Sequence, residues 1–376
     1  MAAQTLKQVL KTYTIEGELY DSLEGGRVRC YACGHRCVIL PGLDGICRVR
    51  YNEGGKLMVP TGYAGAIQCD PTEKKPFFHA YPGSLALTFG MLGCDYHCSY
   101  CQNWVTSQAL RDPKALAPPL EVTPRKLVEI AGRSEARLVV SSYNEPLITS
   151  EWAVEIFKQA KPAGFVCGYV SNGNATPEVL DYIRPWVDLY KIDLKGFDDR
   201  SYRKLGGLLS NVLETIKMVH ERGFWLEIVT LLIPGFNDSD AELKGLADFL
   251  AGVSPYIPWH VTAFHKDYKM DDPADTRPSD LVRAAEIGRK AGLRYVYAGN
   301  LRGQVGDLED TRCHHCGDTL IRRSGYFVQD YRVTPDGKCP SCQTVIPGRW
   351  AARFEGQVAD RPFLPRGSSR LVTIPS

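Results

Sequence analysis

Cys94, Cys98 and Cys101 stand in the run Cys94-Asp-Tyr-His-Cys98-Ser-Tyr-Cys101, a C-x3-C-x2-C spacing that follows the alternating apolar run Leu85 to Phe89. Three thiolates this close in sequence, offered from the end of a strand, form a metal clip with one position left open. A structural zinc site takes four protein ligands, and cubane iron–sulfur clusters are usually held by four cysteines. Three cysteines would leave one iron of a [4Fe–4S] cluster free to take another molecule. The competing reading is a three-cysteine zinc clip completed by His97 or by a more distant ligand.

Two further cysteine sets flank this one. Cys313-His-His-Cys316 and Cys339-Pro-Ser-Cys342 are two C-x2-C knuckles separated by 22 residues. That is close to the spacing of a zinc ribbon, whose hairpins are too small to fold without metal. Zinc is favoured there over an auxiliary cluster, with His314 and His315 expected outside the site and Asp336-Gly337 reading as a turn. Cys30, Cys33, Cys37 and Cys47 form a less regular C-x2-C-x3-C-x9-C set, with Pro41, Gly42 and Gly45 suggesting tight loops around a metal. Zinc and a [4Fe–4S] cluster both remain open for it, with a slight lean to zinc. Cys69 and Cys167 are left over, and Cys167, in the apolar run 164–170, reads as a small core residue.

These sets must be carried by a framework. The chain has 376 residues, 44% hydrophobic and 23% charged, more than one hydrophobic core usually serves. A formal net charge of +2 gives no argument for nucleic acid or an anionic membrane as partner. There is no apolar stretch of 18 residues, and Met1 to Gln8 lacks a signal-peptide core, so a cytoplasmic protein is expected. In that compartment thirteen cysteines point to metal binding rather than disulfides.

From about Ser84 to Gly299 short apolar runs alternate with helical patterns. Strands are expected over 84–90, 137–142, 165–170, 187–193, 224–232, 259–264 and 294–298. Helices are expected over 124–133, 150–160, 176–183, 209–222, 240–251 and 279–291, with Leu243, Leu246 and Phe249 forming a buried stripe. Such alternation means parallel βα units, in a barrel or a doubly wound sheet. About six units with the cysteine loop after the first strand favour an α/β fold of the partial (β/α)6 TIM-like barrel kind, whose chemistry gathers on loops after strand C-terminal ends. The expected organisation is a Cys-rich N-terminal metal-binding module (1–78), the partial barrel (79–305), a zinc-ribbon-like module (306–352) and an extended or disordered tail (353–376).

The other distinctive loops fall after strands too. Ser142-Tyr-Asn144-Glu145-Pro146 is an acceptor-rich turn suited to an ammonium, stiffened by its proline, or else an acidic helix start. Ser171-Asn172-Gly173 follows the third strand. Asp193-Leu-Lys195 follows the fourth and offers an anion beside a point-charge cation, or a plain ion pair. Asn237 and Asp238, after a Pro-Gly turn, are placed to cap the next helix. His265 ends another strand, while His260 reads as structural.

The cysteine triad with Tyr100 before its last member resembles the signature of the radical S-adenosylmethionine (SAM) superfamily. The ordered set Glu73-Lys-Lys-Pro76, Cys101-Gln-Asn-Trp104, Tyr143-Asn-Glu-Pro146, Asp193-Leu-Lys195 and Tyr297-Ala-Gly-Asn300 resembles the AmmeMemoRadiSam-system radical SAM enzymes. These are relatives of the pyruvate formate-lyase activating enzymes, and the resemblance runs from about Cys30 to Trp350. It implies a [4Fe–4S] cluster on the triad, with the open iron chelating SAM, and reductive cleavage to methionine and a 5′-deoxyadenosyl radical that takes hydrogen from a substrate. It further implies that Tyr100, Asn144, Glu145, Pro146, Asn172, Asp193, Lys195 and His265 meet SAM, and that a flavodoxin or ferredoxin-type donor supplies electrons. Tyr143 and Asn144 replace the two glycines usual in the Glu-Pro loop. Val170 stands where activating enzymes carry an aspartate of a cation site. The substrate, a small molecule or a protein, is not implied. Rival functions are a glycyl-radical activase acting on a partner protein and a zinc-only binding module. One or two zinc ions complete the expected cofactors.

Overall fold

The computed structural model describes residues 4–351 and the backbone of Arg370–Leu371. Seven parallel strands form its centre: β1 (Leu85–Gly90), β2 (Ala136–Ser141), β3 (Val166–Ser171), β4 (Leu189–Asp193), β5 (Trp225–Leu232), β6 (Trp259–Ala263) and β7 (Val296–Gly299). They lie side by side in chain order. The connecting helices are α1 (Pro124–Arg133), α2 (Ser150–Ala160), α3 (Pro177–Ile183), α4 (Asp199–Leu205), α5 (Leu209–Glu221), α6 (Asp240–Val253) and α7 (Pro278–Lys290). All seven expected strands and six expected helices are present, and α4 is an addition in the loop after β4.

Both faces of the sheet are buried, as parallel sheets require. Leu87, Phe89, Val139, Tyr169 and Tyr190 face the helices, whereas Ala86, Leu138, Val140 and Leu189 form a separate cluster on the opposite, inner face with Phe77 and Ala80. Side chains alternate with the period of two that a strand imposes. The strand Ala66–Pro71 pairs antiparallel with β1, from Ala66 opposite Gly90 to Pro71 opposite Leu85. The sheet thus reaches into the span expected for the N-terminal module. The tail expected from 353 lies outside the described residues, except that Arg370 and Leu371 pair with Cys69 and Gln68.

Helix starts follow their caps. Thr123, Thr176 and Ser239 each accept a backbone N–H three residues on, and Pro124 and Pro177 take the first helical position. The cap of α6 is therefore Ser239 and not Asn237 or Asp238. Those two are consumed by the turn itself. Asn237 Oδ1 accepts from Ile233 N, and Asp238 Oδ1 accepts from Gly235 N.

The N-terminal ends of the strands are closed by a polar plug. Glu227 of β5 accepts from the backbone N–H groups of Phe78 and His79, each at 2.9 Å, and from His260 at 2.7 Å. His260 is accordingly structural. Arg323, from the antiparallel C-terminal sheet, bonds the Phe78 carbonyl at 2.8 Å and lies 3.5 Å from buried Glu73. Glu73 of the Glu-Lys-Lys-Pro run thus locks the C-terminal unit to the barrel. That unit comprises Thr311–Arg312, Thr319–Ser324 and Phe327–Tyr331, and its Leu320, Ile321 and Val328 pack with Tyr295, Tyr297 and Phe78.

His79 sits at this seam. Its Nδ1 is 2.7 Å from the Pro347 carbonyl and its Nε2 2.6 Å from the Tyr297 hydroxyl. A carbonyl only accepts, so Nδ1 carries the proton and Nε2 accepts. Burial pushes the imidazole down to about 4, with Glu227 opposing. Between the unfolded value near 6.5 and that figure the unfolded chain binds the extra proton, so stability falls as pH drops through this window. The urea midpoint should decline from about pH 6.5 toward 4, and His79→Gln should flatten that slope.

Candidate active site

The loops after the strand C-terminal ends bring the expected residues together. The C-x3-C-x2-C loop leaves β1 through Gly90, where a Cβ would lie 2.1 Å from the Ser142 carbonyl oxygen and 2.9 Å from Tyr143 Cβ. Only glycine permits this approach of the two loops. Gly90→Ala should therefore cost about 1–3 kcal/mol and separate the loops, read as a lowered melting temperature.

Within the loop, Cys101 N donates to Cys98 O at 3.3 Å, and Arg111 Nη1 donates to the Cys94 carbonyl at 2.7 Å. Cys101 Sγ lies 3.1 Å from Ser107 Oγ. All three thiols are free of disulfides. Burial raises each above its ordinary value, Cys98 to about 12 against the pull of Lys195. A bare thiol here keeps its proton, so it becomes a ligand only when a metal displaces that proton. Three sulfur donors on one short loop, beside the Lys195 cation that acts on Cys98, fit an iron–sulfur cluster. His97 is exposed and turned against Gly206, away from any four-ligand group.

Asp95 is fully buried and accepts from Asn172 Nδ2 at 2.7 Å and Asn174 Nδ2 at 2.9 Å. It pins the cysteine loop to the loop after β3. Glu145 does the same for the loop after β2. Its Oε2 accepts from Asn172 N at 2.7 Å, and its Oε1 accepts from Ser171 Oγ at 2.7 Å and Leu147 N at 3.2 Å. Asn144 Oδ1 accepts from Met91 N at 3.0 Å. Both side chains are thereby engaged in the loop framework, and burial together with the Asp95 charge lifts the Glu145 carboxyl to about 8. Pro146 opens the short 3-10 turn Pro146–Thr149.

Tyr143 has a left-handed backbone, with φ +66°. That region favours glycine and strains a bulky residue. The side chain is anchored in compensation: Lys75 Nζ is 3.1 Å from its hydroxyl and 4.8 Å from its ring centroid, and Thr106 Oγ1 bonds its carbonyl at 2.6 Å. Lys75, another member of the Glu-Lys-Lys-Pro run, also bonds Asp70 at 3.0 Å, and burial lowers its ammonium to about 8.

The wall after β4 carries Asp193 between two lysines, bonded to Lys191 and 3.4 Å from Lys195 Nζ. Burial opposes the charge on Asp193, yet Lys191 and Lys195 together hold its carboxyl below the ordinary range. Lys195 is braced through its backbone, its N–H donating to Tyr202 OH at 2.9 Å and its carbonyl accepting from Asn237 Nδ2 at 2.9 Å. Tyr100 is buried edge-on to Phe236, 5.8 Å between ring centroids. His265 is exposed, with Nε2 3.1 Å from Gln102 Nε2, and Lys269 N donates to Ser99 O at 2.9 Å. The loop after β6 thus leans on the cysteine loop.

The sequence reading passed over Asp95, Asn174, Arg111, Lys191 and Tyr202. Asp95 and Asn174 are single polar residues inside or beside recognised motifs, where complete burial was the missing signal. Elsewhere, Cys313, Cys316, Cys339 and Cys342 bring their sulfurs within 4.8 Å of one another. His314 stays outside that group and bonds Tyr295 OH at 2.8 Å. Among the described residues no other group of three or more such donors is this compact.

A family model described as the radical SAM superfamily matches residues 89–249, from the end of β1 into α6. An uncharacterised protein of Methanocaldococcus jannaschii is 34% identical over 310 residues, covering 82% of this chain and 91% of that protein. The choline trimethylamine-lyase activating enzyme of Oleidesulfovibrio alaskensis is 27% identical over 166 residues, 44% of this chain and 49% of that enzyme. The pyruvate formate-lyase-activating enzyme of Staphylococcus aureus is 23% identical over 235 residues, 57% and 88% of the two chains. An enzyme reading displaces the zinc-only binding module. With three cysteines at the head of a parallel sheet inside the matched span, the chain belongs to the radical SAM superfamily, whose enzymes cleave SAM reductively.

Proposed function

We propose that Cys94, Cys98 and Cys101 hold a [4Fe–4S] cluster whose open iron takes SAM, and that the enzyme abstracts hydrogen from a substrate yet to be identified. The observation that carries this reading is the convergence of the triad with Asp193, Lys195, Asn172 and Glu145 at one end of one sheet. When bound, the cluster and SAM supply one-electron cleavage to methionine and a 5′-deoxyadenosyl radical. The chain's own residues supply order. Asp95 and Glu145 fix the cysteine loop against its neighbours through Asn172. Lys195, its charge held by Asp193 despite burial, suits a carboxylate such as that of the methionyl group. Burial of Cys98 and of Tyr100 limits the access of water to the reacting centre.

The names of the two activating-enzyme relatives favour a second reading, a glycyl-radical activase whose substrate is the backbone of a partner protein. A flavodoxin or ferredoxin-type donor is the expected electron source in either case, with the cytoplasm as the expected compartment. For the C-terminal quartet we favour zinc. Cys313 and Cys342 sulfurs lie 3.6 Å apart and Cys316 and Cys339 sulfurs 3.7 Å, near the edge of about 3.8 Å that 2.3 Å bonds give a tetrahedron.

The deciding experiment is EPR of anaerobically purified, dithionite-reduced protein with and without SAM, alongside a deoxyadenosine assay. A [4Fe–4S]+ signal that shifts on adding SAM, with deoxyadenosine formed, supports the reading; zinc without iron overturns it. A glycyl radical appearing only when a candidate partner protein is mixed in would select the activase reading.

A further inference from the structure

The N-terminal cysteines lie against the site just described. Cys30 N donates to Cys37 O at 3.0 Å, a Cβ on Gly45 would lie 3.8 Å from Cys37 Sγ, and Cys33 and Cys47 belong to one buried cluster with Val49 and Ile148. The four thus lie on closely packed loops. Three are buried, and Cys37 is partly open. Their sulfurs are nevertheless not drawn to the compact spacing of the C-terminal quartet, since no three of them lie within 4.8 Å of one another. The Cys94, Cys98 and Cys101 triad shares that wider spacing. One tetrahedral ion draws its four sulfurs to a single centre. A cubane spreads its ligands over separate irons and holds them farther apart.

Two buried donors point the same way. Arg50, three residues beyond Cys47, is 1% exposed, and its Nε has no hydrogen-bond partner. His35, between Cys33 and Cys37, leaves Nε2 buried without a hydrogen bond, 4.0 Å from Asp95 Oδ2. Buried nitrogens with no partner of their own, on the segments that carry these cysteines, are free to bond a cluster held there, and such hydrogen bonds set a cluster's potential.

The two cysteine loops are also joined by one guanidinium. Arg111 donates through Nη1 to the Cys94 carbonyl and through Nη2 to the Ile46 carbonyl, each at 2.7 Å. Gly93, just before Cys94, approaches so closely that a Cβ there would lie 3.2 Å from the Cys47 carbonyl oxygen. The contact therefore joins a cysteine of one set to the residue next to a cysteine of the other. Gly34 N donates to Asn174 O at 2.8 Å, so the asparagine that holds Asp95 also holds the N-terminal loop.

We infer that Cys30, Cys33, Cys37 and Cys47 hold an auxiliary [4Fe–4S] cluster that relays electrons from a protein donor to the SAM-cleaving site. The inference rests on the cluster assignment made above for Cys94, Cys98 and Cys101. The donor, of ferredoxin or flavodoxin class, is oxidised by one electron. The auxiliary cluster is reduced by one and then passes that electron on, so one donor electron is consumed for each SAM cleaved. Entry is on the side of Cys37, the ligand nearest solvent.

The test uses the full chain, purified anaerobically from cells supplied with both iron and zinc. The triple variant Cys94→Ala, Cys98→Ala, Cys101→Ala should retain about four irons and four sulfides with a reducible EPR signal. Zinc in place of that iron overturns the inference. In the reduced wild-type chain the two signals should broaden each other, whereas a simple sum of two isolated signals overturns the relay. Cys37→Ala should slow reduction of the remaining cluster by a flavodoxin severalfold and leave its reduction by dithionite unchanged; equal rates with flavodoxin also overturn the relay. Iron at the N-terminal set with none at the triad would instead defeat the earlier assignment and, with it, the relay, while the auxiliary cluster itself would stand.

Discussion

Replacing Cys98 with alanine abolishes 5′-deoxyadenosine formation to background while the protein stays folded. The triad provides the fewest thiolates that can hold three irons and leave the fourth open, so loss of one leaves no defined site. The structural cost is small. The Cys98 side chain loses one sulfur, the loop is held by Asp95 and Arg111 rather than by Cys98, and β1 to β4 have their own packing. A change within about 1 kcal/mol is expected. Chromatographic assay of deoxyadenosine and a thermal melt on the same preparation check both halves. Product at the wild-type rate in the variant would overturn the assignment of the triad, and collapse of the melt would overturn the claim that the loop stands without its metal.

Such separability follows from how the fold is written in the sequence. The parallel sheet was legible because β1 to β7 are nearly continuous apolar runs, set off by helices whose caps sit in plain view at Thr123-Pro124 and Thr176-Pro177. The strand Ala66–Pro71 escaped notice, for its run ends in Gln-Cys-Asp-Pro and its pairing with β1 is a tertiary fact. Within the site, the residues with a rare type or spacing were legible: the cysteines, Asp193-Leu-Lys195 and the Glu145-Pro146 turn. Their supports were not. Asp95 becomes informative only once it is known to be buried between two asparagines, and Arg111 once its guanidinium is seen to bond the carbonyls of both Ile46 and Cys94. The role of Glu145 changed for the same reason. A carboxylate in an acceptor-rich turn reads from sequence as a cation site, but three donors from the next loop and its own helix start have already claimed it.

The largest effect on stability is expected at the opposite end of the barrel. Cys339→Ala, or removal of the C-terminal metal by a strong chelator, should unfold the segment from Thr311 to Ile346 and lower the melting temperature of the whole chain. Metal binding to a four-cysteine site of this kind contributes on the order of 10 kcal/mol of apparent folding free energy. The segment has little else: three short strands and a small cluster around Leu320, Ile321 and Val328. The thiols are arranged to receive the ion. Cys339 is fully buried, and hydrogen bonds from Thr344 draw Cys342 down to about 6, which readies it as a thiolate. The loss does not stay local, because Arg323 from this segment caps the Phe78 carbonyl and pairs with Glu73, and Pro347 holds His79 at the seam. Unfolding the segment leaves Glu73 buried without its cation, and an unpaired buried charge costs about 3–5 kcal/mol. Circular dichroism before and after chelation, with zinc released per chain measured in parallel, checks the expectation. A chain that gives up its metal with an unchanged melt would mean that the seam, rather than the ion, holds the C-terminal unit in place.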